Sequence, residues 1–322
     1  MFRLMLPLIP CHPGSVRSTL VPLVTLVATA LPGSLPAQAG PGLRDGPVPA
    51  LTWTPDRPGE GELFVVRVAE PEGDPIMLIA GGAGGEPLHF ERTGEGTFRS
   101  LAAVPLGETS EVPLDFTVIY ADGREEVVRT GVPVTPGRYN HSRLTVAPEL
   151  GRPPTPEQAA RRAEEQRRAA EVSAKAHRTP RIWDGEVVLP KEVQRVTSGF
   201  GEGRIFNGQV SSRHTGLDLD GRTGDMVVSA ARGVVELVDA FELAGNVVYI
   251  NHGGGLMTAY FHLSEQLVAE GDTVSAGTPI GRVGATGRVT GPHLHWVVRY
   301  GQTSVDGRSL IAIGREEFPP GG

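Results

Sequence analysis

Gly245-Asn246-Val247-Val248-Tyr249-Ile250, then Asn251-His252-Gly253-Gly254, then Gly255-Leu256-Met257-Thr258-Ala259-Tyr260-Phe261-His262 is two β-branched and aromatic runs around a glycine turn. Glycine takes the positive φ that a tight reversal needs, and the flanking residues suit a pleated surface, so this stretch predicts an antiparallel hairpin. No long helix interrupts the text around it. Further on, His293 to Tyr300 is another strand-like run, reached through the loop residues Gly284-Ala285-Thr286-Gly287 and Gly291-Pro292.

The rest of the chain has the same character. Gly 43 and Pro 28 in 322 residues, with aromatics at only 6%, predict many turns between short strands. The fold class is therefore read as mainly β. Hydrophobic residues at 39% and charged residues at 21% exclude wholesale disorder, and the length suits two domains. The formal charge of −7 argues against nucleic acid as a partner.

Before the hairpin region, Leu63-Phe64-Val65-Val66-Arg67-Val68 and Asp115-Phe116-Thr117-Val118-Ile119-Tyr120 alternate in short runs, and Asp122-Gly123 marks a second hairpin. Residues 45–135 are read as an immunoglobulin-like β-sandwich. This segment holds one histidine, His89, and no cluster of catalytic residue types, which suits a spacer or docking module. Thr155-Pro156-Glu157-Gln158 then opens a helix, with Thr155 as N-cap, Pro156 in the first turn and Gln158 completing a capping box. Its body is alanine and charge, with Val172 as its only sizeable apolar residue, so residues 150–180 are read as a solvated helical linker. The tandem arginines Arg161-Arg162 and Arg167-Arg168 are read as its wet faces.

The N-terminus reads as an export signal. Arg3 and Arg17 precede an apolar run from Leu20 to Leu31, and Ala37-Gln38-Ala39 supplies the small residues of a cleavage site before Gly40. Residues 1–39 are the predicted signal peptide; the run is too short to cross a bilayer as a helix, and no stable membrane span is expected in the mature form. Cys11 is the sole cysteine and lies before the run, so the exported form cannot use disulfides.

Chemistry concentrates after Trp183, where His214, His252, His262, His293 and His295 are five of the nine histidines. His293-Leu294-His295 in an extended segment puts two imidazoles on one face, with Leu294 and Trp296 on the other. His214-Thr215-Gly216-Leu217-Asp218 separates a histidine and a carboxylate by four, again an even number. Three such groups can close three corners of a zinc tetrahedron, leaving the fourth to water and other histidines to move protons.

Ser198-Gly199-Phe200-Gly201, His214 to Asp218, Tyr260-Phe261-His262-Leu263-Ser264 and Thr290-Gly291-Pro292-His293-Leu294-His295 together resemble the lysostaphin-like (LytM-domain) zinc metallopeptidases. The resemblance covers residues 183–314. It implies an antiparallel two-sheet β domain with a zinc groove, one Zn2+ per chain held by His214, Asp218 and His295, and catalysis by His262 and His293. The implied substrates are peptides of bacterial peptidoglycan, often glycine or D-amino-acid cross-bridges, and the implied location is the periplasm or the cell-wall and extracellular space. Phe261 stands where the family more often has alanine, and Trp296 replaces a common phenylalanine; neither removes a ligand. His252 is read as structural. Arg204 and Asn207, close before the first ligand, are candidates to line the groove.

Two rival readings compete with this one. Val268 to Gly281 resembles the hammerhead half of biotinyl and lipoyl carrier domains, but those need a lysine at a hairpin tip and none follows Lys191. Some relatives of the metallopeptidases act instead as silent or autoinhibited groove proteins that activate a cell-wall hydrolase partner; the complete set of five residues argues here for catalysis.

Overall fold

The computed structural model describes residues 49–318 apart from 95, 193 and 194, and excludes the side chain at 210. The predicted signal peptide and Cys11 lie outside the described residues. The chain is mainly β, and its sheets are built almost wholly from antiparallel pairs.

Two four-stranded sheets form the N-terminal part. One runs Ala50–Thr54, Leu63–Ala69, Thr97–Ala103, Glu91–Gly94, and the other Glu86–Pro87, Ile76–Ala83, Glu111–Tyr120, Glu125–Pro133. Glu111–Tyr120 alternates exposed and buried residues along its length, and its inward side chains meet those of the first sheet: Leu114 packs with Phe64 and Val66, Phe116 with Val68 and Phe98. Leu63 to Val66 departs from that alternation, because all four are buried. Phe64 and Val66 face the second sheet, while Leu63 and Val65 join the core of the C-terminal part beside Trp183, Leu310 and Phe318. A sheet covered on both faces needs a continuous apolar run, which is what this strand carries. The picture of separate modules on a strut therefore gives way to shared packing. The Ser309 hydroxyl accepts from Leu63 N–H at 3.1 Å, and Glu86 accepts from the backbone N–H of Gln302 and Thr303 at 2.8 and 2.9 Å.

The C-terminal part is a ten-stranded sheet. Its main path runs Val196–Ser198, Leu217–Asp220, His293–Tyr300, Leu256–Gln266, Gly245–Gly253, Gly233–Phe241, Thr273–Val274. The hairpin at the centre turns through Gly254 and Gly255, both at positive φ. One face buries Leu294, Trp296, Val298, Ile250 and Tyr260, and helix α2 (Gly307–Glu317), capped by Asp306, closes that side with Leu310 and Ile313.

Helix α1 (Pro156–Lys175) begins with both halves of the capping box, Gln158 N–H to Thr155 Oγ1 at 3.2 Å and Thr155 N–H to Gln158 Oε1 at 3.0 Å. It is not a free strut. Ala169, Val172 and Ala176 lie against Leu237, Tyr249, Met257, Ala259 and Val297 on the opposite face of the large sheet. An edge with one valine contributes only about 1.5–3 kcal/mol of burial. Ion pairs make up the rest of the attachment: Arg162 to Glu242 at 2.8 Å, Lys175 to Glu236 at 2.7 Å, and Arg168 to Asp239. Each tandem arginine pair thus splits. Successive residues point about 100° apart on a helix, so Arg161 and Arg167 stay with Glu165 and Glu164 on the helix while Arg162 and Arg168 turn inward.

A three-stranded sheet completes the structure: Val210–Arg213, Gly203–Phe206 and His141–Leu144, the last two parallel. Among the described residues no helix is long and apolar enough to cross a membrane.

Candidate metal centre and groove

Strand register brings the first two residues together. Leu217–Asp220 pairs antiparallel with His293–Tyr300 so that Asp218 lies opposite His295, while Leu219 and Leu294 point into the core. His214 precedes the strand and turns back onto the pair through Thr215 and Gly216. A Cβ at Gly216 would stand 2.6 Å from the Trp296 carbonyl oxygen and 2.9 Å from the His295 ring, so only glycine admits this approach.

The result is a buried triangle. Asp218 Oδ1 lies 3.0 Å from His214 Nε2 and 2.7 Å from His295 Nδ1, and the two nitrogens are 2.9 Å apart. His214 Nδ1 sits 2.6 Å from the Gly199 carbonyl oxygen, which can only accept, so Nδ1 carries the proton and Nε2 presents its lone pair to the triangle. Burial disfavours the Asp218 anion, yet the His214 and His295 rings set against it outweigh that and hold the carboxyl well below the usual carboxylate range. Burial, opposed by Asp218, pushes His295 down to about 4, which keeps it neutral. A carboxylate and two neutral imidazoles are a donor set that zinc accepts. Ligand arms of about 2.0–2.1 Å span tetrahedral edges of roughly 3.3–3.4 Å. The observed separations are a few tenths shorter, so the residues fit the ion with a small expansion.

Two more histidines face the triangle. His262 occupies a bulge in Leu256–Gln266, where the pairing shifts between Val248↔Tyr260 and Asn246↔Leu263, and its φ is +62°. A non-glycine residue there carries about 1–2 kcal/mol of strain, and the bulge re-aims the ring out of the strand's alternation. Its Nδ1 is 2.8 Å from the Thr286 carbonyl oxygen, and His293 Nδ1 is 2.8 Å from that of Gly291. Both rings therefore offer Nε2 to the groove. Their centroids are 5.0 Å apart, and His293 Nε2 is 3.5 Å from Asp218 Oδ1. Burial, reinforced by His295 and His293, pushes His262 down to about 3.

Of the two residues expected to line the groove, one does. Arg204 Nη2 donates to Ser198 Oγ at 2.7 Å and to Asp218 Oδ2, the oxygen turned away from the triangle. Asn207 faces elsewhere: its side chain accepts from Val146 N–H and donates to Val146 C=O, each at 3.0 Å. With Gly208 it forms a turn, both residues at positive φ, a reversal whose Asn-Gly signal sits in the sequence. His252 is fully buried between the Arg232 carbonyl and Thr258 Oγ1, at 2.8 Å from each, away from the triangle.

The triangle opens into a cavity of about 580 Å³ floored by Tyr249, Phe261 and Val297 and walled at its far side by α1. A smaller cavity, about 170 Å³, lies between His293 and the Ser142–Val146 segment. Arg288 borders both, its guanidinium 3.9 Å above the Phe206 ring. Neither Arg288 nor the α1 wall was visible in the sequence, because no local pattern marks a groove lining drawn from distant segments.

Residues 212–307 match peptidase family M23. That stretch is an M23 peptidase domain. The M23 region is 41% identical over 109 residues to the peptidoglycan DD-endopeptidase ShyC of Vibrio cholerae, an overlap of 33% of this chain and 25% of that protein. It is 45% identical over 86 residues to the DD-carboxypeptidase/endopeptidase Mpg of Neisseria meningitidis, covering 27% of this chain and 20% of Mpg. The chain thus matches a quarter or less of the length of these two relatives. A solved structure described as an M23 peptidase from Pseudomonas aeruginosa shares the fold more widely, with a TM-score of 0.59 and 24% identity over 79% of this chain and 95% of that one.

Proposed function

We propose that this chain is an exported zinc metalloendopeptidase that hydrolyses peptide cross-links of bacterial peptidoglycan. The observation that carries the reading is the convergence of His214, Asp218 and His295 with His262 and His293 around one opening. In this reading His214, Asp218 and His295 hold one Zn2+, and the ion supplies Lewis acidity and a water of lowered pKa. His262 and His293 then work as acid and base. Each has its Nδ1 proton committed to a carbonyl, so Nε2 of one takes the proton of the attacking water and passes it to the leaving amine, while the other, carrying a solvent-derived proton on Nε2, donates to the developing oxyanion. Phe261 and Tyr249 give the peptide an apolar floor, and α1 closes one end of the groove.

The names of the relatives support the substrate class and, with it, a periplasmic or cell-wall location. Residues 1–39 are assigned as the export signal, 45–135 as an immunoglobulin-like sandwich, 150–180 as a helical linker that borders the groove, and 183–314 as the peptidase domain. A second reading, an autoinhibited groove protein that activates another wall hydrolase, is favoured by one feature: the Ser142–Val146 segment lies beside His293.

The test is to purify residues 40–322, measure bound zinc, and follow new amines released from isolated peptidoglycan with and without chelator. About one zinc per chain with chelator-sensitive release supports the endopeptidase; zinc without release supports the activator; absence of zinc overturns the site.

A further inference from the structure

The net charge of the chain is −7, yet five arginines line the larger cavity, Arg162, Arg204, Arg213, Arg288 and Arg299, against one acid, Glu165. Two of these charges are spoken for: Arg162 by Glu242 and Arg204 by Asp218. Glu165 is itself engaged by Arg161 and the Glu242 N–H. Arg213, Arg288 and Arg299 form no ion pair with any acid among the described residues. Arg213 donates to the Gly201 carbonyl at 2.7 Å and Arg299 to Ser173 Oγ at 3.0 Å, whereas the Arg288 side chain lies on an aromatic face and makes no hydrogen bond or ion pair among the described residues.

Arg288 is also the arginine best placed to meet a substrate. It borders both cavities together with His262, so anything bound across the opening passes it, and Phe206 beneath it fixes the plane of the guanidinium. A partly buried cation with no counter-ion, in a cleft already crowded with positive charge, is costly unless an anion arrives with the ligand. Burial and the nearby charges of Arg162 and Arg204 push its pKa down to about 10, still cationic at neutral pH. A planar, stacked guanidinium is matched by a carboxylate, which it can grip through two parallel hydrogen bonds.

We propose that Arg288 is a specificity-determining residue that receives a free carboxylate of the peptide substrate next to the scissile bond. The proposal rests on the peptidase reading above and deepens it. The carboxylate is either the terminal group of the peptide or one carried on a branch within it, and the two are separable by experiment.

The experiment uses the zinc-loaded chain from residue 40 and cross-linked peptide dimers released from peptidoglycan, in the free-acid form, with the terminal carboxylate amidated, and with the branch carboxylate amidated. Two quantities are read: kcat/KM, and affinity by calorimetry in a His293→Ala background. Wild type is expected to favour the free acid over one of the amides by tenfold or more in both. In Arg288→Gln that ratio falls to within about threefold of unity, and Arg288→Lys lies between. The amide that loses the preference identifies the carboxylate. Because the ratio is taken within each variant, a general loss of activity does not mimic the effect. Equal handling of acid and both amides by wild type, or an unchanged ratio in Arg288→Gln, overturns the proposal. If wild type cleaves none of the dimers, the peptidase reading fails, and the affinity ratios still decide for or against Arg288.

Discussion

His214 Nδ1 lies 2.6 Å from the carbonyl oxygen of Gly199, and this contact sets which nitrogen of His214 faces Asp218 and His295. Gly199 also donates its N–H to Glu202 at 3.0 Å, Glu202 accepts from Ser198 Oγ at 2.7 Å, and Arg204 joins Ser198 to Asp218. A shell of hydrogen bonds therefore orients two of the three proposed ligands before any ion binds.

In this geometry the loss of a proposed ligand and the loss of a proposed proton carrier have separable consequences. Asp218→Ala deletes the atom common to two edges of the triangle, so both bound zinc and hydrolysis are expected to be lost. His293→Ala leaves the triangle intact and is expected to keep zinc near one per chain while hydrolysis falls at least 100-fold. Metal analysis beside amine release checks the pair; equal hydrolysis by wild type and His293→Ala removes His293 from the mechanism.

Arg204 touches the proposed zinc site through Asp218, donating to its Oδ2. Arg204→Ala frees Asp218 Oδ2 and is expected to weaken zinc about 10–100-fold, measured by chelator competition, with the fold retained in circular dichroism. Arg204→Lys keeps one charged donor and is expected to recover part of the loss. Unaltered zinc affinity in Arg204→Ala excludes the orienting role.

Asn207 holds the segment beside the smaller cavity. Asn207→Ala loses two hydrogen bonds to Val146 and puts alanine at φ +48°, so stability is expected to fall by roughly 2–4 kcal/mol in urea unfolding. Asn207→Gly tolerates the turn and is expected to lose about half as much. Faster cleavage by the glycine variant would show that the Ser142–Val146 segment restrains the groove.

His252 makes stability depend on pH. Burial lowers its pKa to about 4 in the folded chain, against about 6.5 unfolded, so between these values the unfolded chain binds more protons. The stabilising contribution is full above pH 6.5 and is lost as pH falls toward 4. Between pH 7 and pH 5 wild type is expected to lose about 2 kcal/mol more than His252→Gln, because other titrating groups cancel in the comparison. Equal pH dependence in the two proteins assigns the acid sensitivity elsewhere.

Local chemistry carried much of the reading. Period-two alternation puts His293 and His295 on one face, the glycines around residue 254 reverse the central hairpin, Asp122-Gly123 reverses another, and Thr155 with Gln158 opens α1; each depends on residues a few positions apart. Tertiary structure alone decided the rest. Leu63 and Val65 belong to one core and Phe64 and Val66 to another, which the run of four apolar residues does not reveal. The alanine edge of α1 looked too poor to bury, and it packs because the acids that anchor it, Glu236, Asp239 and Glu242, lie more than sixty residues downstream. Arg288 reads in sequence as one loop arginine among many; only the arrangement of distant carboxylates shows that Arg162 and Arg204 have acidic partners and that Arg288 has none among the described residues. Alternation and turn geometry are fixed by neighbouring peptide units, whereas burial and charge pairing belong to whichever segments the fold brings into contact.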